Sequence, residues 1–161
     1  MKALPPLLLA LAGFAGCSRP GALPADLAPT AMVRQATIQL IAAPPDAKGC
    51  EVHTAPLAVE LPAPEPALWG ALHSLLDAGR RYEGSGLHNA LADSLLRVVR
   101  IERQGDLARI YLTGYLELAD PCDRRRVPAQ LVHTATQFQG VRRAEILLDG
   151  KPLLDLLADP K

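Results

Sequence analysis

Aromatic residues are scarce in this chain and make up 4% of its 161 residues. The hydrophobic fraction is nevertheless 49%, and much of it is alanine and leucine. We therefore expect an aliphatic core around a few larger anchors such as Trp69 and Phe138. Because single domains typically run to about 100–200 residues, the length allows one domain and a short tether.

An excess of charge of either sign is also missing, since 17 basic residues balance 17 acidic ones. Nucleic-acid binding is usually accompanied by a basic face or stripe. The only run of three basic residues is the arginine triplet at 124–126, which we interpret as solvated. The alternative is a contact between this triplet and a phosphate or a lipid headgroup. The charge balance argues against a nucleic-acid partner.

No apolar run is long enough to cross a bilayer, which takes about 20 residues. The short run at residues 7–11 follows Lys2 and has the length of a signal-peptide core. Two small residues then precede Cys17, which resembles the lipobox read by lipoprotein signal peptidase. Phe14 departs from that pattern, which usually has leucine at this place, so ordinary cleavage is the alternative.

We interpret residues 1–16 as a lipoprotein signal peptide and Cys17 as the residue that carries acyl chains such as palmitate. Each buried methylene of an acyl chain adds about 0.8 kcal/mol of membrane affinity. Residues 17–32 are rich in proline and alanine without any period, which predicts a tether. The expected location is the outer face of the cell membrane or, in a two-membrane envelope, the periplasm or outer membrane.

Cysteine is rare as well, with three residues in the chain. Once Cys17 is used by the lipid, Cys50 and Cys122 remain as a pair in an oxidising compartment, which predicts a disulfide. A bridge that closes a loop of this length stabilises the fold by roughly 4 kcal/mol. The alternative is a metal site formed by both cysteines with His53 and His133. It has a single local ligand spacing, so we expect neither a metal nor another cofactor.

Hydrophobic periodicity divides the remaining chain into a folded domain over residues 33–155 and a tail over 156–161. Strands are predicted at 37–41, 50–61, 96–103, 107–116 and 144–148, helices at 64–76 and 127–138, and a helical turn at 87–91. The connector at 104–106 contains glycine and predicts a hairpin. We expect an α+β fold: a single two-layer domain with two helices packed on one face of a mainly antiparallel four- to five-stranded sheet.

Three stretches of this domain resemble the GerMN domain, a module of bacterial lipoproteins linked to sporulation and germination proteins. The first begins with Leu-His-Asn-Ala-Leu at 87–91 and continues through the predicted hairpin to residue 112. The second covers residues 130–141 and contains the Thr-x-x-Gln-Phe pattern. The third covers residues 146–153 and contains Asp-Gly-Lys-Pro-Leu.

The resemblance implies an envelope role through protein contacts, including the assembly of complexes at the cell surface or between membranes. It implies no catalytic residues, and it supports the predicted disulfide. We therefore expect a non-enzymatic protein, held at the membrane by its lipid, that binds one or more envelope proteins. A small ligand-binding or enzymatic envelope lipoprotein is the alternative, although Ser85 between two glycines is the only loop serine that suggests a nucleophile. The sequence specifies neither the oligomeric state nor a role in sporulation.

The predicted hairpin supplies a candidate interaction surface. In its second strand, apolar residues at 108, 110 and 112 alternate with Arg109, Tyr111 and Thr113. Alternation of this kind is typical of a sheet covered on one side only. We expect the latter three residues to form the surface that contacts a partner. An edge strand open to an added strand and the loop at 82–87 are further candidates.

Overall fold

The computed structural model describes residues 34–42, 49–61, 64–82 and 84–158. The predicted signal peptide, Cys17 and the predicted tether lie outside the described residues. Among the helices of the described residues, none is both long enough and apolar enough to cross a membrane.

The described residues form eight strands and three helices. In chain order these are β1 (Arg34–Ala42), β2 (Thr54–Leu61), α1 (Ala67–Leu76), β3 (Arg81–Tyr82), β4 (Leu87–His88), β5 (Leu95–Gln104), β6 (Leu107–Tyr115), α2 (Asp123–Thr136), β7 (Arg143–Leu148), β8 (Lys151–Pro152) and α3 (Leu153–Leu157). All five predicted strands and both predicted helices are present. The predicted helical turn at 87–91 is wrong at its start, because Leu87 and His88 pair as β4.

The strands form two sheets. The first has the order β2-β1-β4-β3 and is antiparallel throughout. The second has the order β5-β6-β7-β8, and its β6–β7 pair is parallel because α2 carries the chain back across the sheet. The β5–β6 hairpin turns at Gly105, whose φ of 62° suits a residue without a side chain.

The predicted α+β class is confirmed, although the strands form two sheets of four instead of one sheet of four or five. The helices pack against strands of both sheets: α1 contacts β1, β2 and β5, and α2 contacts β1 and β7. One continuous aliphatic core results, with Ile38, Leu72 and Ile110 among its fully buried members. The expected anchors Trp69 and Phe138 are partly buried and pack at the margin of this core.

The helix α2 begins at Asp123, earlier than the predicted start at Val127. Acidic side chains bind the backbone that leads into it: Asp123 Oδ2 accepts from the Asp120 N–H at 3.1 Å, and Asp120 Oδ1 accepts from the Cys122 N–H at 2.7 Å. These bonds order the turn before the helix, and the Asp123 carboxylate in its first turn suits the helix dipole. The arginine triplet therefore lies in the first turns of a helix. Its last member, Arg126, has a side chain only 15% exposed.

A buried asparagine closes the end of α1. The Asn89 side-chain amide donates to the carbonyls of Leu75 at 3.0 Å and Ala78 at 2.9 Å. Its oxygen accepts from the Leu91 N–H at 3.1 Å. Carbonyls at the end of a helix have no partner within the helix, so a side chain that reaches them replaces lost hydrogen bonds.

A buried glutamine connects α2 to this asparagine and to the first sheet. Gln130 Oε1 accepts from the Ala90 N–H at 2.8 Å, and Gln130 Nε2 donates to the Gln39 carbonyl at 3.0 Å. One turn later, Thr134 Oγ1 accepts from the Gln39 N–H at 2.9 Å. The polar groups of Gln130 are thus satisfied although the residue is fully buried. This network fixes how α2 sits on β1.

Candidate interaction surface

The outer face of the second sheet carries the three residues that the sequence suggested as a surface. Arg109, Tyr111 and Thr113 lie on β6 and alternate with Ile110 and Leu112, which are buried in the core. Arg109 and Tyr111 are half-buried by their neighbours, and Thr113 is exposed. The structure therefore brings the three together on one face.

Side chains from three neighbouring strands are tied together across this face. Arg109 Nε donates to Glu145 Oε2 on β7 at 2.7 Å. The Tyr111 hydroxyl donates to Glu102 Oε2 on β5 at 2.8 Å. The guanidinium of Arg100 lies 4.2 Å from the centre of the Tyr111 ring, and its Nε is 3.3 Å from Glu102 Oε1. Each side chain is held by another one, so the face presents an ordered array of charges around a tyrosine.

One end of the face is held by the turn between β7 and β8. Thr113 Oγ1 donates to Asp149 Oδ1 at 2.7 Å. Asp149 has a positive φ of 48°, which aspartate tolerates better than most residues. The turn at Asp149 and Gly150 thus positions a carboxylate beside the sheet face.

Hydrogen bonds between these surface groups shift their pKa values. The hydrogen bond and the charge of Glu145 raise the pKa of Arg109. The hydrogen bond to Glu117 is the main cause that raises the pKa of Tyr115. At the other end of the sheet, a hydrogen bond from Arg143 lowers the pKa of Asp106. Each shift stabilises the protonation state that the side chain already has at neutral pH: charged for Arg109 and Asp106, neutral for Tyr115.

Large apolar side chains are exposed beside the charged array. Leu95 on β5 is 76% exposed, and its register partner Tyr115 on β6 is 61% exposed. Val99 is 58% exposed at the point where the β5–β6 register shifts between Val98 and Arg100. A bulge of this kind re-aims side chains at the edge of a sheet.

A cleft of about 700 Å³ opens beside β3 and β4 and includes described residues of the predicted loop at 82–87. Several of its charged groups pair with one another: Arg80 contacts Asp93, and Arg126 Nη1 lies 3.4 Å from Asp123 Oδ1. His88 also lines the cleft, and burial, followed by the charge of Arg126, lowers its pKa. A neutral imidazole between paired charges leaves little net charge with which to attract an ion.

The structure joins Cys50 and Cys122 in a disulfide with 4.9 Å between their Cα atoms. The bridge ties the segment before β2 to the start of α2. The two histidines of the metal alternative have other contacts: His53 Nε2 lies 3.3 Å from Glu51, and His133 Nδ1 lies 2.9 Å from Thr54 Oγ1. No group of three or more ligating side chains in the described part of the chain could hold a metal ion.

The hydroxyls of Ser85 and Ser94 form hydrogen bonds with backbone groups. Ser85 Oγ donates to the Tyr82 carbonyl at 2.7 Å, and Ser94 Oγ donates to the Glu117 carbonyl at 3.2 Å. Among the described residues neither hydroxyl contacts a histidine. These two serines shape loops.

Asn89 and Gln130 lie in the stretches that resemble the GerMN domain, but the sequence suggested no role for either residue. The structure shows that both are buried and hydrogen-bonded to backbone that belongs to other elements. Gln130 follows the apolar Val127 by three residues on the predicted helix, and this spacing was the available signal, since a polar residue at a core position needs partners. These motif positions therefore support the fold.

The matched residues of a known family cover most of the described domain. A family model called Germane, for sporulation and spore germination, matches residues 45–154. This segment contains β2 to β8 and both longer helices. No curated protein sequence matches the chain.

Two solved structures from Bacillus subtilis have similar folds. The tandem GerMN domains of the sporulation protein GerM are 13% identical with a TM-score of 0.59, and the match covers 85% of this chain and 44% of that one. The first GerMN domain of GerM is 17% identical with a TM-score of 0.53, and the match covers 74% of this chain and 85% of that one. The present chain thus spans less than half of the tandem structure. At these identities the likeness shows the fold alone.

Proposed function

The chain belongs to the Germane family of sporulation and spore germination domains, and from that membership we propose that it is a non-catalytic protein-interaction or assembly module of the bacterial cell envelope. In this proposal the lipid on Cys17 holds the protein at the membrane, and the domain after residue 33 contacts one or more envelope proteins.

The observation that carries the proposal is the outer face of the second sheet. Arg109, Tyr111 and Glu102 are ordered there by contacts across three strands, and they face away from the core. Tyrosine and arginine are enriched at protein interfaces and at the hot spots within them. Because these side chains are already held in place, they would lose little conformational entropy when a partner binds.

The alternative, a small ligand-binding or enzymatic lipoprotein, has one observation in its favour, which is the cleft around His88. Several charged side chains that line the cleft form ion pairs with one another, as Arg80 does with Asp93. The sheet face has paired charges too, but it also exposes the large apolar side chains of Leu95, Val99 and Tyr115, which offer contact area to a protein partner. We therefore favour the interaction module.

The test is a pull-down of the full-length protein from native membranes, with mass spectrometry of both the bait and the retained proteins. The proposal predicts acyl chains on Cys17 and a reproducible envelope partner. Cys17→Ala should remove the acyl chains and release the protein from the membrane fraction.

The sheet face is tested by the double variant Arg109→Ala, Tyr111→Ala, with Arg125→Ala as the matched control. Arg125 is exposed on α2, and no hydrogen bond or ion pair to a described residue is assigned to its side chain. The double variant should lose the partner while its circular dichroism stays unchanged, and the control should retain it. Copurification of a small molecule in place of a protein would contradict the proposal and favour the alternative.

A further inference from the structure

The strand β5 forms one edge of the second sheet. It pairs with β6 at every one of its ten residues except Val99, where the register shifts. Within the described residues no strand pairs with its other side, and no loop hydrogen-bonds to its backbone. In an antiparallel edge strand, alternate N–H and C=O groups point away from the sheet. These groups form a ready template for one more strand.

Two exposed apolar side chains on this edge are not explained by protection against aggregation. Arginines and a bulge on an edge strand are common protective devices, and β5 has both. Leu95 and Val99, however, are large, apolar and largely exposed on the same strand. Exposed apolar side chains do not help an edge to repel other strands. An edge that binds an added strand can bury them and gains contact area.

The charges of β5 favour an acidic partner. The strand contains three arginines and a single acidic residue, Glu102. Arg103 Nη2 donates to the Gly140 carbonyl at 2.7 Å, and Arg100 lies beside Glu102. Arg97 is exposed, and among the described residues it has no assigned hydrogen bond or ion pair. Opposite charges on neighbouring strands attract, so an acidic side chain beside Arg97 would be favoured.

Two other occupants of the edge are less favourable: a second copy in the register centred on Arg100, because of its charges, and the tether of this chain, because of its prolines. A second copy paired antiparallel about Arg100 would place Arg97 opposite Arg103, and like charges directly opposite are destabilising. The predicted tether at residues 17–32 of this chain contains three prolines. Proline has no backbone N–H to donate, so this segment is a poor added strand.

We propose that the free edge of β5 binds an extended segment of the partner protein, in which acidic and apolar side chains alternate, as an additional strand of the second sheet. This inference rests on the proposed function, since it names the chemistry of the partner and the part of the surface that it contacts.

The probe is a capped ten-residue peptide that alternates valine and glutamate, compared with the same peptide carrying lysine for glutamate. Binding to the full-length protein in nonionic detergent is followed by fluorescence anisotropy, and the site is located by amide hydrogen exchange. The glutamate peptide should bind at least about fivefold more tightly than the lysine peptide and protect amides of β5. Equal binding of the two peptides, or protection only outside β5, would overturn the proposal.

Arg97→Glu tests the charge, with Arg125→Glu as a control that makes the same charge change on α2. We expect Arg97→Glu to reduce the preference for the glutamate peptide by about tenfold, because one attraction becomes a repulsion. Arg125→Glu should leave the preference unchanged. An equal loss in both variants would show that the peptide senses only the overall charge and would contradict the proposal.

The membrane pull-down separates a failure of this inference from a failure of the proposed function. If Arg97→Glu retains the same partner as the unmodified chain, the β5 edge is excluded while the interaction module stands. If no envelope protein is retained but the glutamate peptide still protects β5, the proposed function fails and the strand-binding edge remains.

Discussion

Gln130 Nε2 donates a hydrogen bond to Asn89 Oδ1 across 3.2 Å, and this contact joins the second helix to the loop between β4 and β5. Both residues are buried, and both also bind backbone groups of other elements. In a low-dielectric core such a network is stable only while every member is satisfied. The contact therefore makes the packing of the two helices depend on a few polar atoms.

Gln130→Ala should lower the free energy of unfolding by about 2–4 kcal/mol. The change leaves the Ala90 N–H and the Gln39 carbonyl without partners and opens a cavity. Urea unfolding followed by circular dichroism measures the effect. Gln139→Ala, at an exposed glutamine, should stay within about 0.5 kcal/mol of the unmodified protein. Equal effects of the two changes would show that the buried network contributes nothing specific.

Gly114→Ala should destabilise the β5–β6 pair. Gly114 has a φ of 119°, and an added Cβ would collide with the Leu95 carbonyl across the strand pair. A loss of about 2 kcal/mol or more is expected from the backbone strain and the clash. The matched change Gly79→Ala meets no atom within 4 Å and should be neutral or slightly stabilising. Thermal unfolding of both variants checks this, and a neutral Gly114→Ala would contradict the register.

Arg143→Ala should raise the pKa of Asp106. The hydrogen bond from Arg143 Nη2 to Asp106 Oδ1, at 2.9 Å, is the main cause that lowers this pKa in the folded protein. A lowered folded-state pKa contributes stability above the unfolded-state pKa, and that contribution is lost as the pH falls through the folded-state pKa. The contribution is therefore present at neutral pH, and its loss is confined to acidic pH, below about 4.

The neighbouring Arg142 supplies the control for this titration. Its exposed side chain has no assigned ion pair among the described residues, while its backbone N–H binds the Asp106 carbonyl at 2.9 Å. Arg142→Ala keeps that backbone contact and should leave the Asp106 titration, followed by carboxyl NMR, unchanged. A similar shift in both variants would mean that general charge, and not the Arg143 contact, sets the pKa.

Replacing both bridged cysteines by serine should lower the free energy of unfolding by roughly 2–4 kcal/mol, because the bridge restricts the unfolded chain. The sequence separation of Cys50 and Cys122 is 72 residues. Urea unfolding with and without a reducing agent measures the loss, and the double variant should no longer respond to the reducing agent. Recovery of stability in the reduced protein on addition of zinc would instead support the metal alternative.

The sequence predicted those parts of the fold that depend on neighbouring residues. The β5–β6 hairpin follows from local alternation and from one glycine-containing turn, and it is present. The division into two sheets depends on long-range pairing of very short strands, such as Ile41 with His88, and short strands carry no periodicity. The early start of α2 is accompanied by two aspartates that bind the backbone just before the helix, and these contacts are visible only in the folded geometry.

The candidate surface was predictable in position because side chains alternate along a strand. Its contacts were not, since Arg109 meets Glu145 from a strand that follows it by more than 30 residues. The β5 edge was suggested only in general terms, because the sequence does not show which strand lies at an edge or where a bulge falls.

The disulfide has one more consequence, which concerns cleavage of the chain. With the Cys50–Cys122 bridge in place, residues 50–122 form a covalent ring that includes the glycine-containing turn at 84–86 and the whole of β5. A protease that cuts once inside this ring opens it without separating the two fragments. The nicked protein would run as one species on a non-reducing gel and as two after reduction. A single cut at that turn would therefore leave β5 covalently joined to the N-terminal part of the chain until the bridge was reduced.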